Sequence, residues 1–237
     1  MTLELIIYPV FLLSIVFSLY AQFKVSSTYR RYSTYYTRVG RNATDIARMI
    51  LSREGIYDVS IGRVHGNLTD HYDPTTNTLA LSDTTYASTS AAAIGVAAHE
   101  AGHAVQHAVG YAPIKLRMKL VPVTSFASKL SWGFILLGLL ITAFAYSVSF
   151  GYYILLLGIG LFAITTVFQL VTLPCEFNAS KRAMAALRGS GYYSNDELHA
   201  ARQVLTAAAL TYVAATFASM VQLIRLVLIL GNRNDRR

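Results

Sequence analysis

The chain has 237 residues and a formal net charge of +8, and 54% of its residues are hydrophobic while only 14% are charged. The length suits one large domain or two small ones, and the composition excludes an ordinary soluble protein because the apolar residues form segments of about 20 that can cross a bilayer. Lys and Arg lie mainly between these segments, which is typical of membrane proteins, so nucleic-acid binding is not predicted.

The first apolar segment, residues 3–21, predicts a membrane-spanning anchor. It has neither a basic stretch before its apolar core nor a small-residue cleavage site, so we expect it to be retained. Basic residues follow it from Lys24 onward and none precedes it, which predicts an N-terminus outside and a cytoplasmic chain after the span. The Tyr- and Arg-rich residues 29–36 are typical of an interfacial belt, and less so of a platform that stacks nucleic-acid bases.

The next two segments predict a small α+β region. Residues 42–55 have the spacing of a short amphipathic helix, with Asn42 or Thr44 as its cap and Gly55 at its end. Residues 57–82 alternate apolar and polar side chains and predict a small sheet with a hairpin closing at residues 73–77. Such a sheet offers an edge strand to which an extended peptide can add.

The segment of residues 91–109, reading AAAIGVAAHEAGHAVQHAV, predicts a buried helix with a metal site. His99 and His103 are four residues apart and therefore share one helix face, and together with Glu100 they form an HExxH zinc motif. Glu100 is positioned to act as the base for a water molecule. Burial of these polar side chains without a metal or partners would cost several kcal/mol. Residues 83–90 supply capping side chains for this helix.

Three other side chains near the motif are of types that can bind a metal. His107 would lie about 12 Å along the helix axis from His99, so both cannot bind one ion unless the helix breaks at Gly102. His71 and Asp73 precede the motif, but turn formation explains Asp73 better than metal binding does. The third ligand is therefore expected elsewhere in the chain.

Residues 114–120 alternate apolar and basic side chains, which predicts either an edge strand or a strip against anionic lipid headgroups. Residues 132–150 and 152–173 are two apolar runs separated by little more than Gly151, and they predict a transmembrane hairpin that ends at Pro174. The hairpin has an uncharged outer loop and basic inner ends, which agrees with the orientation predicted for the first span.

Glu176 is the only carboxylate between Glu100 and Asp196, and the predicted hairpin returns it to the cytoplasmic membrane face. It is our best candidate for the third ligand, because two imidazoles, one carboxylate and an open position form a usual catalytic zinc set. The alternative is a glutamate favoured at a helix start by the helix dipole. Cys175, the single cysteine, is expected to be a buried packing residue.

A last helix is predicted over residues 198–230, with Asp196 and Glu197 as its cap. Its first half is rich in small residues that allow close helix packing in membranes. A basic tail over residues 233–237 leaves two topologies open, either a fourth crossing or a helix that returns to the cytoplasm. Tyr212 is a candidate donor to a developing oxyanion, or a packing residue.

Four separated stretches, LTDHYDPTTNTLALS, HEAGHAVQH, LPCEFNASKRA and LTAAALTYVAA, resemble the YugP-type membrane-bound neutral zinc metallopeptidases. That family is similar to the HtpX-like gluzincins in its HExxH motif and distant Glu ligand. The resemblance covers about residues 40–225 and implies that His99, His103 and Glu176 are zinc ligands and Glu100 the catalytic base. Related gluzincins often carry Asp where Ser180 stands, in contact with a ligand histidine.

The sequence thus predicts a mainly α-helical membrane protein with three to four transmembrane helices and a small α+β zincin-like metallopeptidase lobe. The expected division is an anchor (1–23), a cytoplasmic lobe (24–130), a transmembrane hairpin (131–174), a third-ligand segment (175–203) and a C-terminal helix with its tail (204–237).

The function predicted from the sequence is zinc-dependent endopeptidase activity, with one Zn²⁺ per chain. It would act at the cytoplasmic face of a bacterial inner membrane on a polypeptide, such as a membrane or misfolded protein, with lipids as its other partners. The alternative is a zinc-stabilised membrane scaffold. Transport is disfavoured because residues 132–173 contain no ionisable side chain except tyrosines.

Overall fold

The structure is a computed structural model that describes residues 2–144 and 148–234. Over these residues the chain is mainly helical and includes one three-stranded sheet, which confirms the predicted fold class. The elements in chain order are α1 (Thr2–Ser33), α2 (Ala43–Arg53), β1 (Ser60–Val64), β2 (His71–Asp73), β3 (Thr78–Ser82), α3 (Ala91–Ala108), α4 (Ala112–Phe144), α5 (Val148–Gly189) and α6 (Asn195–Asn234).

Four helical stretches in the described part of the chain are long and apolar enough to cross a membrane. They are Ile6–Ser33, Ala112–Phe144, Ser149–Gly189 and Asn195–Gly231. Only 17% to 33% of the most apolar window of each is buried within the protein. Their remaining apolar side chains face outward, as lipid contact requires. The sequence predicted three to four transmembrane helices, and the described residues contain four candidate spans. The orientation of these spans in the membrane stays a prediction.

Several predicted element boundaries are wrong. Residues 114–120 are helical and begin α4, so the edge-strand alternative is excluded. Gly151 lies inside α5, which begins at Val148, and residues 145–147 lie outside the described ranges. Helix α5 also continues through Pro174 to Gly189, because the Ala-rich sequence beyond the proline has high helix propensity and transmembrane helices tolerate proline.

Helix α6 begins at Asn195, three residues before the predicted start. Its first turn is closed by a capping box in which the Ser194 hydroxyl accepts from the Glu197 backbone N–H at 3.3 Å. The Glu197 carboxylate accepts in return from the Ser194 backbone N–H at 2.7 Å. Ser194 is therefore the cap in place of Asp196, and residues 235–237 of the basic tail lie outside the described residues.

The chain forms two compact units. The first comprises Met1–Tyr20, Leu116–Leu173 and Tyr212–Arg237, and the second comprises Ala21–Lys115 and Pro174–Thr211. The predicted division into five segments stays a prediction.

Close glycine contacts between α4 and α5 characterise the first unit. A Cβ atom added at Gly138 would lie 2.5 Å from the Leu155 backbone nitrogen, and one at Gly158 would lie 2.7 Å from the Ile135 backbone nitrogen. Such small residues let helices approach closely within a membrane. The apolar cluster beside this contact consists of Ile135, Leu155, Ile159, Phe162, Leu226 and Leu230.

The second unit contains the sheet, α2 and α3. Its strand order is β1-β3-β2, with β1 parallel and β2 antiparallel to β3, so the predicted hairpin is confirmed. The predicted short helix is also confirmed, and Asn42 and Asp45 form its capping box. The Ser90 hydroxyl caps α3 by accepting from the Ala93 N–H.

Asp70 ties the sheet to the segment that enters α3. Its carboxylate accepts from the Ser82 backbone N–H at 2.7 Å, from the Ser82 hydroxyl at 2.9 Å and from the Thr85 hydroxyl at 3.2 Å. Since Ser82 ends β3 and Thr85 lies in the turn before the helix, this carboxylate fixes the position from which α3 begins.

A pair of glycines on α5 tests the close contact with α4. We expect Gly158→Ala to lower the stability of the protein by about 1–3 kcal/mol, because its methyl group would collide with the α4 backbone. Gly160→Ala is the matched control, since a Cβ there meets nothing within 4 Å. Thermal unfolding in detergent, followed by the fluorescence of Trp132, measures both. Equal melting temperatures for the two variants would contradict the packing described.

Candidate metal centre

A contact between backbones brings α3 against α5 within the second unit. A Cβ atom at Gly102 would lie 2.7 Å from the Ala179 carbonyl oxygen, so this position accepts only glycine without a shift of one helix. The surrounding α3 face consists of buried small residues, among them Ala98 and Ala101. The small side chains place the histidine-bearing face of α3 directly against the third-ligand segment of α5.

At this contact the structure brings together His99, His103 and Glu176, whose potential ligand atoms lie within 4.8 Å of one another. Oε2 of Glu176 lies 3.1 Å from Nε2 of His99 and 3.5 Å from Nε2 of His103. The two imidazole rings are nearly perpendicular, at 87°, with centroids 4.7 Å apart. Three donor atoms thus converge on one small volume.

The chemistry of these donors fits one zinc ion. Two imidazole nitrogens and a carboxylate oxygen are ligands that zinc commonly takes. The Glu176 side chain is 3% exposed, and a buried carboxylate needs compensating positive charge that a divalent ion supplies. The side chains of His99 and His103 are 13% and 10% exposed, which leaves a narrow opening to the outside.

Ser180 holds the outer edge of the His99 ring. Its hydroxyl lies 3.1 Å from Nδ1 of His99, while Nε2 of the same ring faces Glu176. Ser180 stands one helical turn after Glu176 on α5, so both side chains reach the same imidazole. An outer partner of this kind fixes the orientation of a metal-binding histidine. A hydroxyl at this position adds no charge to the site.

Gln106 holds His103 in the same way and also fixes its tautomer. The Gln106 side-chain N–H groups donate to the Cys175 carbonyl at 2.8 Å and to the Asn178 side-chain carbonyl at 3.0 Å. The Gln106 amide oxygen therefore faces Nδ1 of His103, 3.0 Å away, and accepts its proton. This leaves the lone pair of Nε2 directed at the site, as metal binding requires.

The role of Gln106 was not predicted from the sequence. A signal was present in the sequence, because Gln106 is a polar residue in a helix predicted to be buried and lies three residues after His103; the structure shows it fully buried. A polar side chain in that setting needs partners. Asn178, whose role the sequence left open, supplies one of them and also accepts from Arg182 at 2.9 Å.

The other histidines near the motif have different partners. Nδ1 of His107 lies 3.0 Å from the Tyr72 hydroxyl, which links α3 to β2. His71 is exposed, and its Nδ1 lies 2.8 Å from the Thr69 carbonyl oxygen. Neither belongs to the group of converging ligand atoms.

Asp73 serves the hairpin turn. Its carboxylate accepts from the Thr75 backbone N–H and the Thr76 hydroxyl, each at 2.8 Å. The Thr75 N–H in particular holds the pKa of Asp73 below its usual range. The turn-forming role therefore accounts for this carboxylate.

Glu100 and Tyr212 were the two predicted catalytic side chains. Glu100 is half-buried, and within the described residues no hydrogen bond or ion pair is recorded for its carboxylate, so it can engage a water molecule or a substrate. Tyr212 lies on α6 in the first compact unit. Its contribution to oxyanion stabilisation stays a prediction.

Comparisons with known proteins agree with this chemistry. The family model described as "Putative neutral zinc metallopeptidase" matches residues 7–231. A curated relative, the "Putative membrane protease YugP" of Bacillus subtilis (strain 168), is 42% identical over 218 residues, which are 92% of this chain and 93% of the relative. No solved structure matches the chain significantly.

Substitution of the carboxylate tests the proposed ligand set. We expect Glu176→Gln to lower the zinc content from about one ion per chain to a small fraction, because an amide is a poor zinc ligand. Metal analysis of protein purified in detergent and dialysed against weak chelator measures this. Glu54→Gln, an exposed change at the end of α2, is the control. Full zinc content in Glu176→Gln would remove this side chain from the site.

Truncation of Gln106 tests its positioning role. We expect Gln106→Ala to weaken zinc binding by about 10- to 100-fold, because His103 loses the acceptor that fixes its tautomer. Competition with a fluorescent zinc chelator gives the affinity. Gln203→Ala is the matched control, since Gln203 also pairs with a histidine, His199, at an exposed position. An unchanged zinc affinity with a lowered melting temperature would show that Gln106 serves packing alone.

Proposed function

We propose that this chain, which belongs to the neutral zinc metallopeptidase family, is a membrane-embedded metalloendopeptidase of the HExxH type with a distant glutamate ligand. The observation that carries the proposal is the convergence of Nε2 of His99, Nε2 of His103 and Oε2 of Glu176. Glu100, the neighbour of His99 in sequence, completes the set of groups that peptide hydrolysis requires.

In this proposal His99, His103 and Glu176 hold one zinc ion. When bound, the ion supplies a Lewis acid that polarises a carbonyl group and lowers the pKa of water. The Glu100 carboxylate accepts the proton of the attacking water and delivers it to the nitrogen of the departing amine. Ser180 and Gln106 keep the two imidazoles oriented throughout, and Tyr212 is the proposed donor to the developing oxyanion.

The scaffold alternative is less well supported. A purely structural zinc site is normally closed by four protein ligands. Among the residues that the structure describes, the converging group contributes three ligand atoms, and Glu100 beside it is not engaged. Three ligands and an adjacent unengaged carboxylate favour catalysis over a structural role.

The proposed substrate is a polypeptide, and the proposed location is the bacterial cytoplasmic membrane with the site facing the cytoplasm. The orientation rests on the basic residues from Lys24 onward, which follow the first apolar segment, residues 3–21. The four apolar helices and the relative named as a membrane protease support a membrane-bound peptidase. An extended substrate can pair with an edge strand of the sheet, whose outer strands are β1 and β2.

Replacement of the proposed base tests the mechanism. We expect Glu100→Gln to reduce kcat for a casein-type substrate by about 10²- to 10⁴-fold while the zinc content stays near one per chain, because an amide cannot accept the proton. Proteolysis in detergent with and without a zinc chelator, together with metal analysis, gives both quantities. Glu54→Gln serves again as the carboxylate-to-amide control. Activity retained by Glu100→Gln, or proteolysis that resists the chelator, would refute the mechanism.

A further inference from the structure

A groove between α5 and α6 begins beside the metal centre. Its volume is about 460 Å³, and it lies within the second unit. Ser180, whose hydroxyl contacts His99, is one of its lining residues, so one part of the groove is a single side chain away from a proposed zinc ligand. Phe177, which directly follows Glu176, is 49% exposed although it is apolar.

The groove combines an apolar surface with unpaired positive charge. Met184 and Leu205 contribute apolar surface, while Lys181, Arg188 and Arg202 add three cationic side chains. No ion pair is recorded for any of these three cations in the part of the chain that the structure describes. The lining includes no carboxylate.

A second, smaller cavity of about 230 Å³ extends this surface. It shares Arg188 and Arg202 with the groove and adds His199. Its lining also lacks a carboxylate, and the nearby Glu197 is engaged by the backbone N–H groups of Arg38 and Ser194. The positive charge of the whole surface is therefore uncompensated by the residues that line it.

The geometry points to a substrate subsite that selects an acidic side chain on the peptide being cleaved. This inference rests on the proposed function and adds a substrate preference to it. The groove offers apolar surface for a neighbouring side chain, the hydroxyls of Ser180 and Thr206 for the peptide backbone, and three cations for a carboxylate.

The spacing of the cations along α5 indicates where the acidic residue lies in the substrate. At 1.5 Å per residue, Lys181 lies about 8 Å and Arg188 about 18 Å along the helix axis from Glu176. An extended peptide covers these lengths with about two and about five residues. We therefore expect the preferred Glu or Asp to stand about two to five residues from the cleaved bond.

A peptide explains the groove better than an anionic lipid does. The cations of α5 are spread over about 10 Å of helix, which suits a linear chain more than one headgroup phosphate. The contact of Ser180 with His99 also connects the groove to the proposed site of hydrolysis. A groove that is continuous with this site suits the peptide that is cleaved there better than a lipid.

Peptide binding to an inactive form of the full chain tests the subsite. Zinc-loaded Glu100→Gln in neutral detergent is titrated into fluorescent peptides that are identical except for one Glu or Gln, and anisotropy gives each Kd. We expect the Glu peptide to bind about five-fold more tightly than the Gln peptide, because ion pairs between its carboxylate and the exposed cations of the groove contribute an affinity gain of this size. The double substitution Arg188→Glu with Arg202→Glu should abolish or reverse this preference at unchanged zinc content.

The control is Arg48→Glu with Arg53→Glu, which makes the same change of charge at a separate surface on α2. This pair should keep the preference for the Glu peptide. Equal affinity for Glu and Gln peptides in the reference form, or a preference that survives Arg188→Glu with Arg202→Glu, would overturn the subsite.

Two further arms separate the subsite from the proposed function and from lipid binding. Cleavage of both peptides at equal rates by the unsubstituted chain, with no binding preference, would refute the subsite and leave the peptidase. A binding preference without cleavage of any peptide would refute the peptidase and leave the subsite. The lipid test has two measurements: whether phosphatidylglycerol co-purifies with the unsubstituted chain but not with the Arg188→Glu, Arg202→Glu variant, and whether this lipid abolishes the preference for the Glu peptide in nanodiscs. If both results are positive, the groove is a lipid site and the proposal fails.

Discussion

The close contact of α3 with α5 at Gly102 is the constraint on which the candidate site depends. The two histidines belong to α3 and the carboxylate belongs to α5. Their donor atoms therefore converge only if the backbones of the two helices are in van der Waals contact, as they are at Gly102 and Ala179. A methyl group in place of the Gly102 hydrogen would move one helix by a fraction of an ångström. Ligand geometry tolerates little displacement of that kind. Gly102, one of the two variable residues of this HExxH motif, therefore has to be small.

His99 and Gln106 on α3 have hydrogen-bond partners on α5, and these bonds fix how the two helices align. Ser180 meets His99, and Gln106 joins His103 to the Cys175 carbonyl and to Asn178. A slide of one helix along the other by a single turn would leave several buried polar groups without partners, at about 1–3 kcal/mol each. The apolar surface of an Ala-rich helix would tolerate such a slide. The hydrogen-bonded network thus selects one register from several that hydrophobic burial alone permits.

Features encoded by local spacing could be predicted from the sequence, and features that depend on distant partners could not. The placement of His99 and His103 on one helix face follows from the helical repeat, and the hairpin at β2 and β3 follows from its turn residues. Glu176 was proposed as a ligand because carboxylates are scarce in this part of the chain, and its carboxylate lies beside the two histidines. Gln106 was missed because its partners lie about 70 residues away on α5, which spacing within α3 does not reveal. The alternating pattern of residues 114–120 did not predict that these residues are part of the α4 helix. The long apolar run that follows them in α4 determines the conformation of the whole segment.

The single cysteine gives the protein a built-in chemical reporter. Cys175 is fully buried, directly precedes Glu176 and offers its carbonyl oxygen to Gln106. A thiol reagent can reach it only when the packing around this residue opens locally, so the rate of its modification measures the free energy of that opening. Since the chain has no other thiol, the signal comes from this position without prior removal of cysteines. Local opening of the structure around Cys175 can thus be followed in the unaltered sequence, with or without bound metal.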